Sequence, residues 1–428
     1  MHYRYKTIQH HFNQHKILNL LLLVVSMTSY AAANDYYQSW MHRAITLQSQ
    51  LDFQLPISQA SFLYTHNSYN SDAYANLGSY WDPNHELSLT QQLNMGVRAL
   101  ELDIHWTLGT RFKKEVLLCH GTDKHIGCSV FDRRLDDALK EIANWLKQPQ
   151  HRNALLTIYM EDHLDGHYRE AIKLIENRIG QWVYRPDGCN RFPLHLSKEA
   201  ILQTGKQILL IGGDCENHLW SSYVHDYLWT TKNGSFSGFP ECTVNGLTAQ
   251  QVKTRLVRIY EDATRLTDWF GKNHPITDSF AQEAIQCGLG IIGVEPLRFY
   301  DSRMKAMIWS WAEGEPNNTG GREHCAVLNQ DGRFNDISCD KQFAYACYHF
   351  SENTWKITTQ KGTFQTGQQI CQASFGSDYA FSVPHTAPQL IELLQLRQQI
   401  DREGHQLWLN YSDFSIEGRW KFDQYSGG

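Results

Sequence analysis

Four short segments in the first half of the chain carry residue types that could move protons and hold a cation. They are Thr65-His66-Asn67-Ser68-Tyr69, Gly96-Val97-Arg98-Ala99-Leu100-Glu101-Leu102-Asp103, Cys119-His120-Gly121 and Tyr159-Met160-Glu161-Asp162-His163. Together they offer two histidines, His66 and His120, and four oxygen ligands, Asn67, Glu101, Asp103 and Glu161. Metal-assisted phosphoryl transfer needs such a set: a divalent ion neutralises charge on a phosphodiester, and two imidazoles divide proton movement between attacking and leaving oxygens. Any one segment could be an ordinary polar loop; four in order point to one site. Glu101 and Asp103 are two apart, so on a strand both side chains share a face. Two carboxylates placed together are costly unless a cation sits between them. An amide and three carboxylates suit calcium better than zinc.

The elements that must position these residues alternate between short apolar runs and helical patterns from about residue 56 to 300. Candidate strands are Ser61-Phe62-Leu63-Tyr64, Ala99 to Asp103, Val116-Leu117-Leu118, Leu155 to Tyr159, Gln207 to Ile211 and Gly290 to Val294. Amphipathic helices are expected at Arg134–Leu146 and His167–Ile179, where apolar residues recur at helical spacing. Alternating strand and helix argue for an α/β fold with a parallel sheet. A (β/α)8 TIM-type barrel is the expectation, because the site residues fall at several different strand ends. No glycine-rich phosphate loop favours a dinucleotide or P-loop fold.

The chain has 428 residues, enough for two or three domains with sizeable cores. Residues 1–33 resemble a secretory signal peptide: Arg4, Lys6 and Lys16, an apolar run from Ile17 to Met27, then Ala31-Ala32-Ala33. That run is too short to span a bilayer comfortably, and no later stretch has a transmembrane pattern. The leader holds three basic residues and no acidic ones, so its removal moves the formal charge from -6 to -9. An acidic chain disfavours nucleic acid and offers no polybasic membrane patch; membrane contact must come from aromatic loops or carbohydrate. All ten cysteines follow residue 118, and none forms a Cys-x-x-Cys zinc pattern. An exported chain permits disulfides, which the count alone does not pair.

The four segments resemble the X region of calcium-dependent phosphoinositide-specific phospholipase C. His66-Asn67-Ser68-Tyr69 is similar to that family's first-histidine motif, and Gly96 to Asp103 to its metal-carboxylate strand. His120-Gly121 is similar to the second histidine, and Glu161-Asp162-His163 to a Glu-Asn-His element with Asp for Asn. The resemblance implies Asn67, Glu101, Asp103 and Glu161 as calcium ligands. It implies His66 steadying phosphoryl oxygens, His120 as general acid, and Glu101 or Glu161 as base. Further on, Arg258-Ile259-Tyr260 resembles the family's substrate-gripping strand, with Arg258 on a phosphate and Tyr260 on the inositol ring. Where the family has closely spaced lysines for ring phosphates, only Lys206 remains, upstream of that position. The implied substrate is therefore unphosphorylated phosphatidylinositol or a glycosylated inositol lipid in a membrane.

After residue 305 helical periodicity fades, and Trp, Asn, Gly and Cys become frequent. Glu315-Pro316-Asn317, Glu323 before Cys325, and Phe334-Asn335-Asp336 before Cys339 and Cys347 resemble the long-loop half of a C-type lectin domain. The resemblance implies Glu315, Asn317, Glu323, Asn335 and Asp336 as ligands for calcium and a mannose-type surface glycan, with a cis bond before Pro316. The segment similar to that family's beginning comes afterwards: Trp355, Gly362-Thr363-Phe364, Gln369-Ile370-Cys371 and Leu407 to Tyr411. Either the lectin-like fold is circularly permuted, or a second lectin domain is cut short at Gly428. Permutation implies Cys325–Cys339 and Cys347–Cys371 bridges. Asn317-Asn318-Thr319, Asn233-Gly234-Ser235 and Asn410-Tyr411-Ser412 are glycosylation sequons, and a glycan on Asn317 would block its ligand role.

The expected organisation is a leader over 1–33, a phospholipase C-like barrel over 34–304 and a smaller α+β lectin-like domain over 305–428. The expected activity is secreted, calcium-dependent cleavage of an inositol lipid to diacylglycerol and cyclic inositol phosphate. Another lipid phosphodiesterase on this barrel, acting on glycerophosphodiester or sphingolipid, stays open, as does a glycan-binding protein with an inactive barrel.

Overall fold

The computed structural model describes residues 33–422 other than 77, 188–191, 213–216, 227–229, 233–235, 262, 265, 267–268, 270–274 and 401–402. The expected leader lies outside the described residues, Ala33 excepted. No helix among them is long and apolar enough to cross a membrane.

Apolar runs become strands where both faces are covered; Ile208 to Ile211 is buried throughout. In chain order the first strands are β1 (Phe62–Thr65), β2 (Ala99–Leu108), β3 (Lys114–Leu118), β4 (Arg133–Arg134), β5 (Leu156–His163) and β6 (Ile208–Ile211). Then come β7 (Thr230–Lys232), β8 (Phe236–Ser237), β9 (Thr243–Val244), β10 (Arg258–Tyr260) and β11 (Ile291–Gly293). Parallel pairing gives the spatial order β6-β5-β2-β1-β11-β10-β7. That is chain order opened between β6 and β7, which is how a barrel reads. Seven parallel strands form this ladder among the described residues, where eight are expected. At the opening, His225 bridges to Ile211, and the described part of the crossover holds only the short turn Trp220–Ser222 in place of a helix.

Val116 to Leu118 is a strand as expected, but it stands outside the parallel ladder. It belongs to β3, which runs antiparallel on the outer half of β2, from Ile104↔Leu118 to Leu108↔Lys114. The connection between them is too short for a parallel crossover. Helices cover the outside. Leu135–Leu146 buries Leu135, Ala138, Leu139, Ile142 and Ala143 on one stripe, and Arg178 of the next helix, Tyr168–Arg178, grips its Asp136 at 2.6 and 2.7 Å.

Register sets Phe62, Ile291 and Arg258 level in the barrel interior, then Tyr64, Gly293 and Tyr260, with Ala99 beside Tyr64 and Glu101 beside Tyr159. Phe62, Ala99, Leu209 and Ile291 belong to one apolar cluster, and the interior turns polar toward the C-terminal mouth. Gly293 is required there: a Cβ would collide with the Tyr64 ring and stand 2.9 Å from Tyr260 Cβ. Gly293→Ala should destabilise the barrel by about 1–3 kcal/mol. Thermal unfolding checks this, and an unchanged Tm would contradict it.

The C-terminal region folds on β12 (Cys325–Leu328), β13 (Phe334–Ile337), β14 (Ala344–His349), β15 (Thr354–Ile357), β16 (Tyr379–Phe381) and β17 (Leu407–Ser412). Their order is β13-β12-β17-β14-β15, with β16 also on β14. The last strand therefore lies inside the sheet, between β12 and β14. Both halves of this region share one sheet, which is not the arrangement of a separate truncated domain. Cys325–Cys339 and Cys347–Cys371 are bridged, as are Cys119–Cys128 and Cys242–Cys287. The helix Ser302–Ala306 spans the expected boundary at 304. The helix Trp40–Leu51 ties both regions: Gln48 Oε1 accepts from Trp309 N at 2.8 Å, and His385 Nδ1 meets Leu51 O at 2.7 Å.

Candidate active site

The mouth is assembled from the C-terminal ends of β1, β2, β5 and β11. Asp103 is in register with Glu161 across β2 and β5, and Glu101 lies one layer below, opposite Tyr159. Oxygens of Glu101, Asp103 and Glu161 all lie within 4.8 Å of one another. Glu101 and Asp103 are buried, whereas the Glu161 side chain is 43% exposed. Tyr69 donates to Asp103 Oδ2 at 2.8 Å, but Asp103 Oδ1 is buried without a partner. Burial, then the Glu101 and Glu161 charges, push the Asp103 carboxyl well above its usual range. Asn67 takes φ 47°, a left-handed conformation asparagine tolerates, and its N–H reaches Glu101 Oε2 at 3.2 Å. Its side-chain Nδ2 is also buried and unpartnered, and a half-turn of the amide would exchange nitrogen for oxygen. Two orphaned polar atoms beside three crowded carboxylates fit a hard divalent cation.

His66 sits just past β1, with its ring 4.5 Å from that of Tyr260. Its Nδ1 meets Glu295 Oε1 at 2.5 Å, and its Nε2 stands 3.6 Å from Glu101 Oε2, beyond hydrogen-bond reach. Burial pulls the imidazole pKa down, but the Glu295 and Glu101 charges outweigh it and hold it up at about 10. His66 is therefore an imidazolium at neutral pH, a donor rather than a base. Glu295 is absent from the sequence motifs, although it follows β11 as the other site residues follow their strands. Its Oε2 accepts from Ala263 N at 2.7 Å and Asn84 Nδ2 at 3.0 Å, which fixes the carboxylate against His66.

His120 lies on the exposed rim, next to Cys119, whose N–H bonds Asp103 O at 3.3 Å. The Cys119–Cys128 bridge closes its loop. Two expected substrate contacts are placed differently. Lys206 precedes β6, so it sits at the opposite end of the barrel from the mouth, donating to Gln181 O at 2.9 Å. It cannot meet a ring phosphate there. Arg258 points into the barrel, where its Nη1 donates to Glu101 Oε1 at 3.1 Å and Tyr64 Oη at 2.7 Å. Its guanidinium also lies 3.9 Å over the Tyr159 ring. Burial opposes the Arg258 charge, but Tyr64 and Glu101 outweigh it and raise its pKa. Burial likewise opposes the Glu101 charge; Arg258 and His66 hold that carboxylate below its usual range.

The five lectin-type residues gather around one loop. Glu315 precedes a cis peptide to Pro316, and its Oε1 accepts from Asn317 Nδ2 at 2.7 Å. Asp336 accepts from the Asn317 and Asn318 amides at 2.9 and 2.7 Å, Glu323 from Thr319 N at 3.0 Å, and Asn335 Nδ2 donates to Asp336 O at 2.7 Å. Glu315 Oε2 is buried without a partner, and burial with the Asp336 carboxylate nearby raises the Glu315 pKa to about 7. That orphaned oxygen leaves room for a cation, although both Asp336 oxygens already serve the backbone. Of the sequons, Asn317 is exposed, Asn410 is buried with its Nδ2 bonded to Phe381 O at 3.0 Å, and 233–235 lie outside the described residues.

A family model described as the Rv2075c PI-PLC-like domain matches residues 21–300. The uncharacterized protein Rv2075c of Mycobacterium tuberculosis is 32% identical over 391 residues, covering 84% of this chain and 78% of its own length. Ladderlectin of Oncorhynchus mykiss is 53% identical over 36 residues, which cover 8% of this chain and 19% of its own. Among solved structures, the phosphatidylinositol-specific phospholipase C from Listeria monocytogenes aligns with 60% of this chain and 94% of its own at 16% identity, with a TM-score of 0.40. With a family match across the barrel and a relative that similar over most of both chains, the chain belongs to the Rv2075c PI-PLC-like family.

Proposed function

We propose that the barrel is a phosphodiesterase that cleaves an inositol phospholipid to diacylglycerol and cyclic inositol phosphate. The convergence of Glu101, Asp103 and Glu161 beside the His66 imidazolium carries this reading. Calcium, when held by Asn67, Glu101, Asp103 and Glu161, would neutralise charge on the phosphodiester. His66 Nε2–H donates to a phosphoryl oxygen as charge builds there. Glu101 is buried and engaged by Tyr64, Arg258 and the Asn67 amide, whereas Glu161 is half-exposed and meets His163 Nε2 at 3.2 Å, so Glu161 is the better base for the inositol 2-hydroxyl. The hydroxyl oxygen bonds to phosphorus, the bond to the glycerol oxygen breaks, and His120 delivers a proton to that oxygen. Phosphorus NMR of the water-soluble product tests the substrate class. A cyclic phosphodiester supports it; glycerophosphate or phosphocholine would assign the barrel to another lipid diester.

The rim favours a substrate in a bilayer. Trp81, Phe112 and Trp269 are 78, 87 and 84% exposed, on loops that leave β1, β2 and β10 at the mouth. Leu266 N bonds Asp82 Oδ1 at 3.2 Å, joining two of these loops. Exposed aromatic rings at one end of a barrel suit the interfacial zone of a membrane. Trp81→Ala with Trp269→Ala should weaken binding to phosphatidylinositol vesicles at least about tenfold, given the apolar area removed. Vesicle sedimentation reads this, and undiminished binding would contradict it.

For the C-terminal region we infer a circularly permuted C-type lectin-like fold that takes calcium and a mannose-type glycan. Its support is the single sheet, the two bridges and the loop of Glu315, Asn317, Glu323, Asn335 and Asp336. A weak glycan site joined to the barrel would raise local concentration at a glycosylated surface without new contacts at the scissile bond. Export through residues 1–33 belongs to the same proposal.

A further inference from the structure

The loop bearing His120 is closed by the Cys119–Cys128 bridge, and two histidines lie against that bridge. A ring nitrogen of His105, a ring nitrogen of His125 and Cys128 Sγ all lie within 4.8 Å of one another. The two rings meet Nδ1 to Nδ1 at 2.9 Å. His125 is oriented from behind, with its Nε2 at 2.9 Å from Asp165 Oδ2. That carboxylate accepts the Nε2–H hydrogen bond, so in the neutral tautomer Nδ1 is the acceptor nitrogen of the His125 ring. In that tautomer His105 Nδ1–H donates to His125 Nδ1, which leaves His105 Nε2 with a bare lone pair. His105 is fully buried, and its Nε2 has no partner. A buried imidazole without a donor, and a second one backed by a carboxylate, are features of metal-bound histidines. The proposed calcium ligands are oxygens, so neither ring belongs to that set.

With the bridge intact, the Cys128 sulfur is bonded to Cys119 and is not a thiolate. We propose that reduction of this bridge opens a site for a borderline-soft divalent ion of the zinc class, held by His105, His125 and Cys128, with Cys119, which lies beside Cys128 and Asp132, completing the set once the bridge opens. A dithiol reductant supplies two electrons and two protons; the S–S bond breaks, two thiols form, and the reductant leaves as its own disulfide. Metal binding then displaces the thiol protons. Two imidazoles and two thiolates are a closed tetrahedral set, and they select zinc over calcium. The metal holds the same loop that the disulfide holds, across the same separation of 9 residues. Cys128 is half-buried, within reach of a reductant, while Cys119 is buried. This site stands independently of the substrate assigned to the barrel.

The test uses the full chain with zinc alone. One sample is treated with a dithiol, which is then removed without air, and the other is left oxidised; bound zinc is counted after dialysis. Cobalt substitution reads thiolate ligation through its charge-transfer absorption. The expected result is one extra equivalent of metal with that absorption in the reduced chain and neither in the oxidised one. Cys128→Ser, reduced in the same way, keeps every other thiol and should lose the extra equivalent. His125→Ala, a loop substitution checked for its fold by circular dichroism, should bind at least about tenfold more weakly. Equal binding by the oxidised chain, no extra zinc after reduction, or undiminished binding by both variants would overturn the proposal.

Discussion

His66→Ala should lower kcat/KM for phosphatidylinositol cleavage by roughly a thousandfold, with the fold retained. The size follows from where the imidazole stands. Glu295 grips Nδ1 at 2.5 Å, and Nε2 is left 3.6 Å from Glu101, outside hydrogen-bond range. A protonated ring fixed in this way meets a developing phosphoryl charge without reorganising. Alanine leaves Glu295 buried without its cation, so the variant needs a parallel check of its melting curve. Glu295→Gln separates the two effects. It keeps a hydrogen-bonding partner for Nδ1 but removes the charge that holds the proton, so kcat should fall with little change in KM. Wild-type turnover in His66→Ala would sink the assignment.

Asp103→Asn should remove the proposed calcium response. Calcium at a hundred times its dissociation constant should stabilise the wild-type chain by about 2.7 kcal/mol, seen as a rise in Tm. Asp103 is the ligand best placed to supply that: one oxygen is fixed by Tyr69 and the other is buried with no partner. Without calcium the variant should be no less stable than wild type, since it takes one of three crowded carboxylates away. With calcium its Tm should stay where it was, and cleavage should fall by about a hundredfold or more, as for loss of a metal-orienting group. A full calcium-induced rise in the Asn variant would remove Asp103 from the ligand set.

Much of this site is legible in the sequence because its geometry is local. Glu101 and Asp103 share a face through strand alternation alone, and Glu161 ends the strand that pairs beside them. The helices at Leu135–Leu146 and Tyr168–Arg178 stand within a residue of where apolar spacing puts them. What was hidden depends on contacts far apart in the chain. Glu295 is 229 residues from His66 and carries no motif of its own. The one usable sign is its place just after the apolar run Gly290 to Val294, where strand ends in a barrel present chemistry. Arg258 reads from sequence as a phosphate-gripping residue, but the barrel interior turns it onto Glu101, a partner 157 residues away. Lys206 is a different failure. It precedes its strand, and in a parallel barrel that places it at the face away from the mouth. The strand at Val116 to Leu118 is legible, but its direction is not, because an apolar run does not state its direction; the short connection does.

The carboxylates and His66 at the mouth are proposed to form a calcium-dependent inositol-lipid site. Release of water-soluble inositol product from phosphatidylinositol vesicles, with calcium and again with a chelator, tests it most directly. The predicted result is cyclic inositol phosphate with calcium and none with chelator. Equal release under both conditions would contradict the calcium assignment, and no inositol product under either would contradict the substrate.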